Sequence, residues 1–163
     1  MDLGISKEIE KDYLGAVECY ENEIKNAGAL PDVYVNLSFL YWSFAFEYFE
    51  FNIPNHIPEA LSVTGGRKYL EILELGLQKY PDNIELHFWT RYYAHIGYGA
   101  VFSKEDCIQL LEKYKYGKRE IVYFYLYLFN KDRYELKRKK LIDESDMQPT
   151  AKKLYIKSIL TGL

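Results

Sequence analysis

Residues 31–51 (PDVYVNLSFLYWSFAFEYFEF) constrain this chain more than any other stretch, because a helix of that composition cannot stand with water on most of its sides. On a 3.6-residue wheel Tyr34, Leu37, Tyr41, Phe44 and Tyr48 form one stripe. Val35, Phe39, Trp42, Phe46 and Phe49 form a second, rotated by roughly a third of a turn. Ser38 and Ala45 fall between the stripes, and Asn36, Ser43, Glu47 and Glu50 make the one narrow polar strip. A helix apolar around so much of its circumference needs packing partners on several sides, which predicts a scaffold of helices built around it.

The rest of the chain reads as helix after helix. From Ser6 to Asn26, Ile9, Tyr13, Ala16, Val17, Tyr20 and Ile24 keep the spacing of one helical face, with Gly28 as the stop. Pro31 stands where a first helical turn needs no N–H, and Asn52, Pro54 and Pro58 end the apolar helix. Residues 52–66 (NIPNHIPEALSVTGG) read as a loop with a short turn at Pro58. Further helices are expected over 67–80, closed by Pro81, and over 84–96, ended by Gly97. Ser103 with Asp106 makes a variant capping box for a helix through Tyr114. Three more segments follow, REIVYFYLYLFN, DRYELKRKKLID and TAKKLYIKSIL. The first alternates β-formers, but its helical surroundings assign it to helix. The expected class is all-α, an antiparallel array of about seven to eight helices.

The segment from Asp12 to Trp42 carries Asp12, Tyr13, Ala16 and Tyr20, then Pro31, then Tyr34, Leu37, Ser38 and Tyr41. This arrangement resembles the tetratricopeptide repeat (TPR) family, whose pattern runs D-Y-x-x-A-x-x-x-Y, a proline turn, and aromatic-x-x-L-G/A-x-x-Y. Residues 68–93 make a weaker copy through Gly76, Leu77, Pro81 and Asp82, with Tyr69 where the family has a small alanine. Trp89 and Tyr92 are also similar to the half-a-TPR repeat. The resemblance covers about the first 95 residues. It implies TPR-like helices over 6–96; the residue pattern adds further C-terminal helices over 97–163, and the length of the chain points to a single domain. It further implies a groove that binds a protein segment without catalysis.

A chain of 163 residues with 48% hydrophobic and 28% charged side chains can bury a real core. Cys19 and Cys107 have no metal-ligand spacing and read as buried thiols in a reducing compartment. The N-terminus lacks an apolar signal core and no run reaches membrane-spanning length, so a cytoplasmic protein is expected. The sequence holds no HExxH, no CxxC, no nucleophile elbow and no phosphate loop. His56, His87 and His95 are the only imidazoles, and without convergent carboxylates they read as structural. No enzyme, metal or cofactor is expected.

Charge is distributed unevenly. Residues 1–130 carry 12 Lys+Arg against 19 Asp+Glu, whereas residues 131–163 carry 9 against 5. The basic run from Lys137 to Lys140, joined by Lys152, Lys153 and Lys157, reads either as a solvated helix face or as an RNA contact with tyrosines as stacking platforms. The acidic part points instead to a protein partner. Glu18, Glu21, Glu47, Glu50, Glu71 and Glu74, with Trp42 as an aromatic anchor, are the candidate contact residues for a basic protein. The corresponding expectation is a protein-binding module, such as an immunity protein or other inhibitor of a basic toxin or nuclease, or a secretion chaperone.

Overall fold

The computed structural model describes residues 2–162. Among them the chain forms nine α-helices and one π-helical turn, with one isolated β-bridge and no strand. The helices are α1 (Leu3–Ile9), α2 (Tyr13–Lys25), α3 (Pro31–Phe46), the π-turn (Tyr48–Asn52), α4 (Ala60–Lys79), α5 (Ile84–Tyr98), α6 (Lys104–Lys113), α7 (Glu120–Phe129), α8 (Lys131–Met147) and α9 (Ala151–Leu160). The chain is all-α as expected, and residues 120–129 are helical despite their β-formers.

Two compact units divide the chain. The first comprises residues up to Gly76 together with Pro149–Lys152; the second comprises Leu77–Gln148 and the residues from Lys153 onward.

In the first unit the helix expected over 6–26 is broken in two. Lys11 adopts φ 61°, while its N–H bonds to Glu8 O and the Asp12 N–H to Lys7 O, which closes α1 in a Schellman motif. Asp12 then caps α2 by accepting from the Gly15 N–H at 3.0 Å. The stop was hidden because lysine occupies the left-handed position that glycine ordinarily fills.

Every residue of α3 from 33 to 44 is buried, including Asn36 and Ser43 of the expected polar strip. Ser43 Oγ donates to Phe39 O at 2.9 Å, and Asn36 Nδ2 donates to the Tyr20 hydroxyl at 3.4 Å, so burial leaves both with a partner. On one side α3 meets α2 through Tyr41, whose hydroxyl donates to Glu21. On the other it meets α4, where Ser38 Oγ donates to Tyr69 O at 2.7 Å. Gly65 brings α4 so close that a Cβ would collide with the Tyr41 carbonyl. Of the loop expected over 52–66, residues 60–66 are instead the start of α4: Gly65 and Gly66 lie inside that helix, and at Gly65 the absence of a side chain permits helix-on-helix approach.

A buried polar network completes this unit. Glu8 accepts from the Tyr20 hydroxyl at 2.6 Å and, through its other oxygen, from the Ala151 N–H at the start of α9 at 2.8 Å. Burial raises the Glu8 pKa, opposed by those two bonds and by Lys152.

The second unit is built around α5. Asn83 caps it by accepting from the N–H groups of Glu85 (3.1 Å) and Leu86 (3.2 Å). Ile84, Leu86, Phe88, Trp89, Tyr92 and Tyr93 are buried. The helix passes through Gly97 and ends at Gly99 (φ 71°), because Gly97 takes an ordinary helical conformation. The expected capping box is present: Asp106 N–H donates to Ser103 Oγ at 3.1 Å, and Ser103 N–H donates to the Asp106 carboxylate at 2.8 Å. Aromatic contacts fill the interior, with Phe102 stacked on Tyr125 at 4.9 Å and Tyr92 against Phe124 at 5.6 Å. The Tyr92 and Tyr155 hydroxyls share a hydrogen bond of 2.7 Å.

Candidate protein-binding surface

Each group singled out from the sequence has a defined place. His87 Nε2 lies 2.6 Å from Pro81 O and its ring stacks on Tyr114 at 4.0 Å, while His95 Nδ1 lies 2.7 Å from Ala100 O. Both imidazoles thus tie down backbone at opposite ends of α5, and His56 is exposed beyond the π-turn. Among the described residues no three His, Cys, Asp or Glu side chains form a metal-ligating group. Both thiols are free; burial raises each, that of Cys107 to about 12.

The basic run of α8 is largely engaged within its own unit. Lys140 pairs with Glu120 at 3.1 Å, and Arg138 pairs with Glu135 at 3.1 Å and donates to Leu160 O at 2.8 Å. Lys137 lies over the Tyr123 ring at 4.5 Å, Lys153 donates to Gln148, and Lys157 pairs with Asp146. Lys152 is buried in the first unit. Lys139 remains exposed.

The acidic residues separate into three environments. Glu18 on α2 and Glu71 and Glu74 on α4 are exposed. Glu21 is half-buried and satisfied, accepting from Tyr41 and from Lys68 at 2.9 Å. Burial pushes its carboxyl up, but those bonds outweigh that effect and hold it below the ordinary range. Glu47 is half-buried without any such partner, and Glu50 is exposed close by. Neither carboxylate makes a hydrogen bond or an ion pair among the described residues. Burial first, then the charge of Glu50, raises the Glu47 pKa.

The two acids sit at an unusual place in the chain. Glu47 caps the C-terminus of α3, and its carbonyl accepts the Asn52 N–H at 3.1 Å in the i→i−5 bond that defines the π-turn. A helix C-terminus is the negative end of the macrodipole, so two carboxylates there repel both each other and the helix end. Inward, the turn is anchored by Phe51, whose ring lies 4.7 Å from that of Tyr13, and by Asn52, whose Nδ2 donates to Phe44 O at 2.8 Å. Outward it presents large apolar groups: Phe46 (50% exposed), Tyr48 (46%), Phe49 (74%) and Ile53 (52%).

Sequence periodicity divided the second α3 stripe incorrectly only at its end. Val35, Phe39 and Trp42 are core, with Trp42 5% exposed between Phe39 (5.4 Å) and Phe46 (6.1 Å). Phe46 is half-exposed but keeps core contacts with Trp42 and, edge-on at 5.6 Å, with Tyr69. The α-helical spacing that placed Phe49 on this stripe fails past Glu47, because the wider π-turn changes the angular register. The interleaving of acids and aromatics in EYFEF, ahead of two prolines, was the signal of an exposed turn.

The chain matches no family model, no curated protein and no solved structure. Among the described residues no helix is long and apolar enough to cross a membrane.

Proposed function

We propose that this chain is a non-catalytic, TPR-like helical protein of the cytoplasm that binds a basic protein partner. Separation of charge between the two units carries the reading. The first holds 6 Lys+Arg against 13 Asp+Glu, the second 15 against 11, so a balance of −7 is concentrated on one unit and +4 on the other. A concentrated field of one sign steers an oppositely charged protein and raises its association rate. The buried Ala16, Tyr20, Leu37 and Ser38 are consistent with the small-and-aromatic packing of TPR helices. The task such a surface suits is neutralisation of a cationic toxin or nuclease, as an immunity protein does.

An RNA contact through α8 draws less support, because Lys140, Arg138 and Lys157 are already paired with carboxylates.

Affinity capture of the native partner followed by stopped-flow binding tests the reading. The expected partner is basic, and its association rate falls steeply as salt rises. An acidic partner, or a rate indifferent to salt, would overturn it.

A further inference from the structure

The general acidity of the first unit does not say where a partner sits, but the end of α3 does. Most acidic side chains in this unit are either solvated, as Glu18, Glu71 and Glu74 are, or satisfied, as Glu8, Asp12 and Glu21 are. Glu47 is neither: half-buried, unpaired, beside a second carboxylate and at the negative end of a helix. Burial without a partner is costly for a carboxylate, and a cation placed there gains from both charges and from the helix end at once.

The apolar groups around this site are equally incomplete. Between residues 46 and 53, four large side chains point outward while Phe51 and Asn52 hold the backbone from within. Tyr48 and Phe49 meet edge-to-face at 5.2 Å, and the Ile53 N–H bonds to Tyr48 O at 3.0 Å, which ties Ile53 to the turn. Exposed aromatic faces next to unpaired carboxylates bind the alkyl stems and charged heads of Lys and Arg together, by apolar contact and cation–π attraction. The buried Asn52 Oδ1 also lacks a hydrogen-bond partner.

We propose that Phe46, Tyr48, Phe49 and Ile53, with Glu47 and Glu50, form the docking surface for a cationic amphipathic segment of the partner protein. Its Lys or Arg side chains meet Glu47 and Glu50, and its apolar side chains cover the aromatic groups. This rests on the basic-partner reading and adds a location and the chemistry of the segment.

Fluorescence anisotropy tests it with the full chain and a labelled Lys/Leu amphipathic peptide of about fifteen residues, alongside a counterpart in which Glu replaces Lys. The wild type is expected to prefer the Lys peptide. E47Q/E50Q and Y48A/F49A should each weaken it about tenfold, and E71Q/E74Q by less than about twofold. Thermal melts matching the wild type establish that the variants are folded.

Equal weakening by E71Q/E74Q, or no effect of Y48A/F49A, would overturn the location and leave the basic-partner reading standing. Failure of the wild type to distinguish the two peptides would overturn both. A concentration-dependent dimer in sedimentation, abolished by Y48A/F49A, would assign the patch to a second copy of the chain and overturn the proposal.

Discussion

The carboxylate of Glu8 accepts the backbone N–H of Ala151 at 2.8 Å, across 143 positions of sequence, and so ties that residue, the first of α9, to α1 within the first unit. The carboxylate satisfies one of the donors that every helix N-terminus leaves open, and its own burial is offset by the Tyr20 hydroxyl.

Removing that carboxylate should destabilise the fold. Glu8→Ala leaves the Tyr20 O–H and the Ala151 N–H without their acceptor, at an expected cost of about 2–4 kcal/mol in urea unfolding. Glu8→Gln keeps an acceptor and should cost less. The pH dependence has a definite sign. Burial raises the folded-state pKa of Glu8 above its ordinary 4.5, so the folded chain holds a proton that the unfolded chain releases. This contribution is fully present below that ordinary value and is lost as pH rises through the folded-state value. The difference in stability between wild type and Glu8→Gln should follow this course across an acid-to-neutral titration; a difference independent of pH would rule out the raised pKa.

Adjacent glycines in α4 should respond in opposite directions. A methyl on Gly65 meets the Tyr41 carbonyl, which cannot move without displacing α3, so Gly65→Ala should cost about 1–3 kcal/mol. On Gly66 the added Cβ reaches only the Ala45 methyl at 3.8 Å, an ordinary contact. Gly66→Ala should therefore stabilise the helix by about 0.5–1 kcal/mol. Denaturation midpoints shifting the same way for both would contradict the close approach of α3 and α4.

Trp42 and Phe49 were placed on one stripe by sequence, and the structure separates their roles. Trp42→Ala empties a site in the core of the first unit and should cost about 3–5 kcal/mol. Phe49→Ala removes an exposed ring and should stay within about 0.5 kcal/mol of the wild type. Thermal melts of the two variants check this directly; comparable losses would place Phe49 in the core.

Much of the architecture was legible because its signals are local. Apolar spacing marks the helices, Pro31 opens α3, and the capping box of Ser103 and Asp106 opens α6, each within a few residues. The break at Lys11 escaped this reading because its left-handed turn carries no glycine. The glycines at 65 and 66 point the other way: residues that usually interrupt a helix lie here within one, and Gly65 lets two helices touch.

The candidate surface was legible only as composition. The acids of the first unit were visible, including Glu47 and Glu50, but nothing local separated them from Glu71 and Glu74. That distinction comes from the π-turn, which rotates Phe49 outward while leaving Glu47 half-buried at the end of α3.

By itself, then, the sequence determined that this chain is all-α and that the apolar stripes of α3 need packing partners, because periodicity and side-chain volume act over a single turn. Which carboxylates are buried, and which of those have a partner, was decided only by tertiary structure. Glu8 is satisfied by an N–H that sequence distance conceals, and Glu47 is left unpaired by a change of helical register that the α-helical wheel does not contain. Solvation and partnership depend on what the whole fold brings to a side chain, and no window of a few residues holds that information.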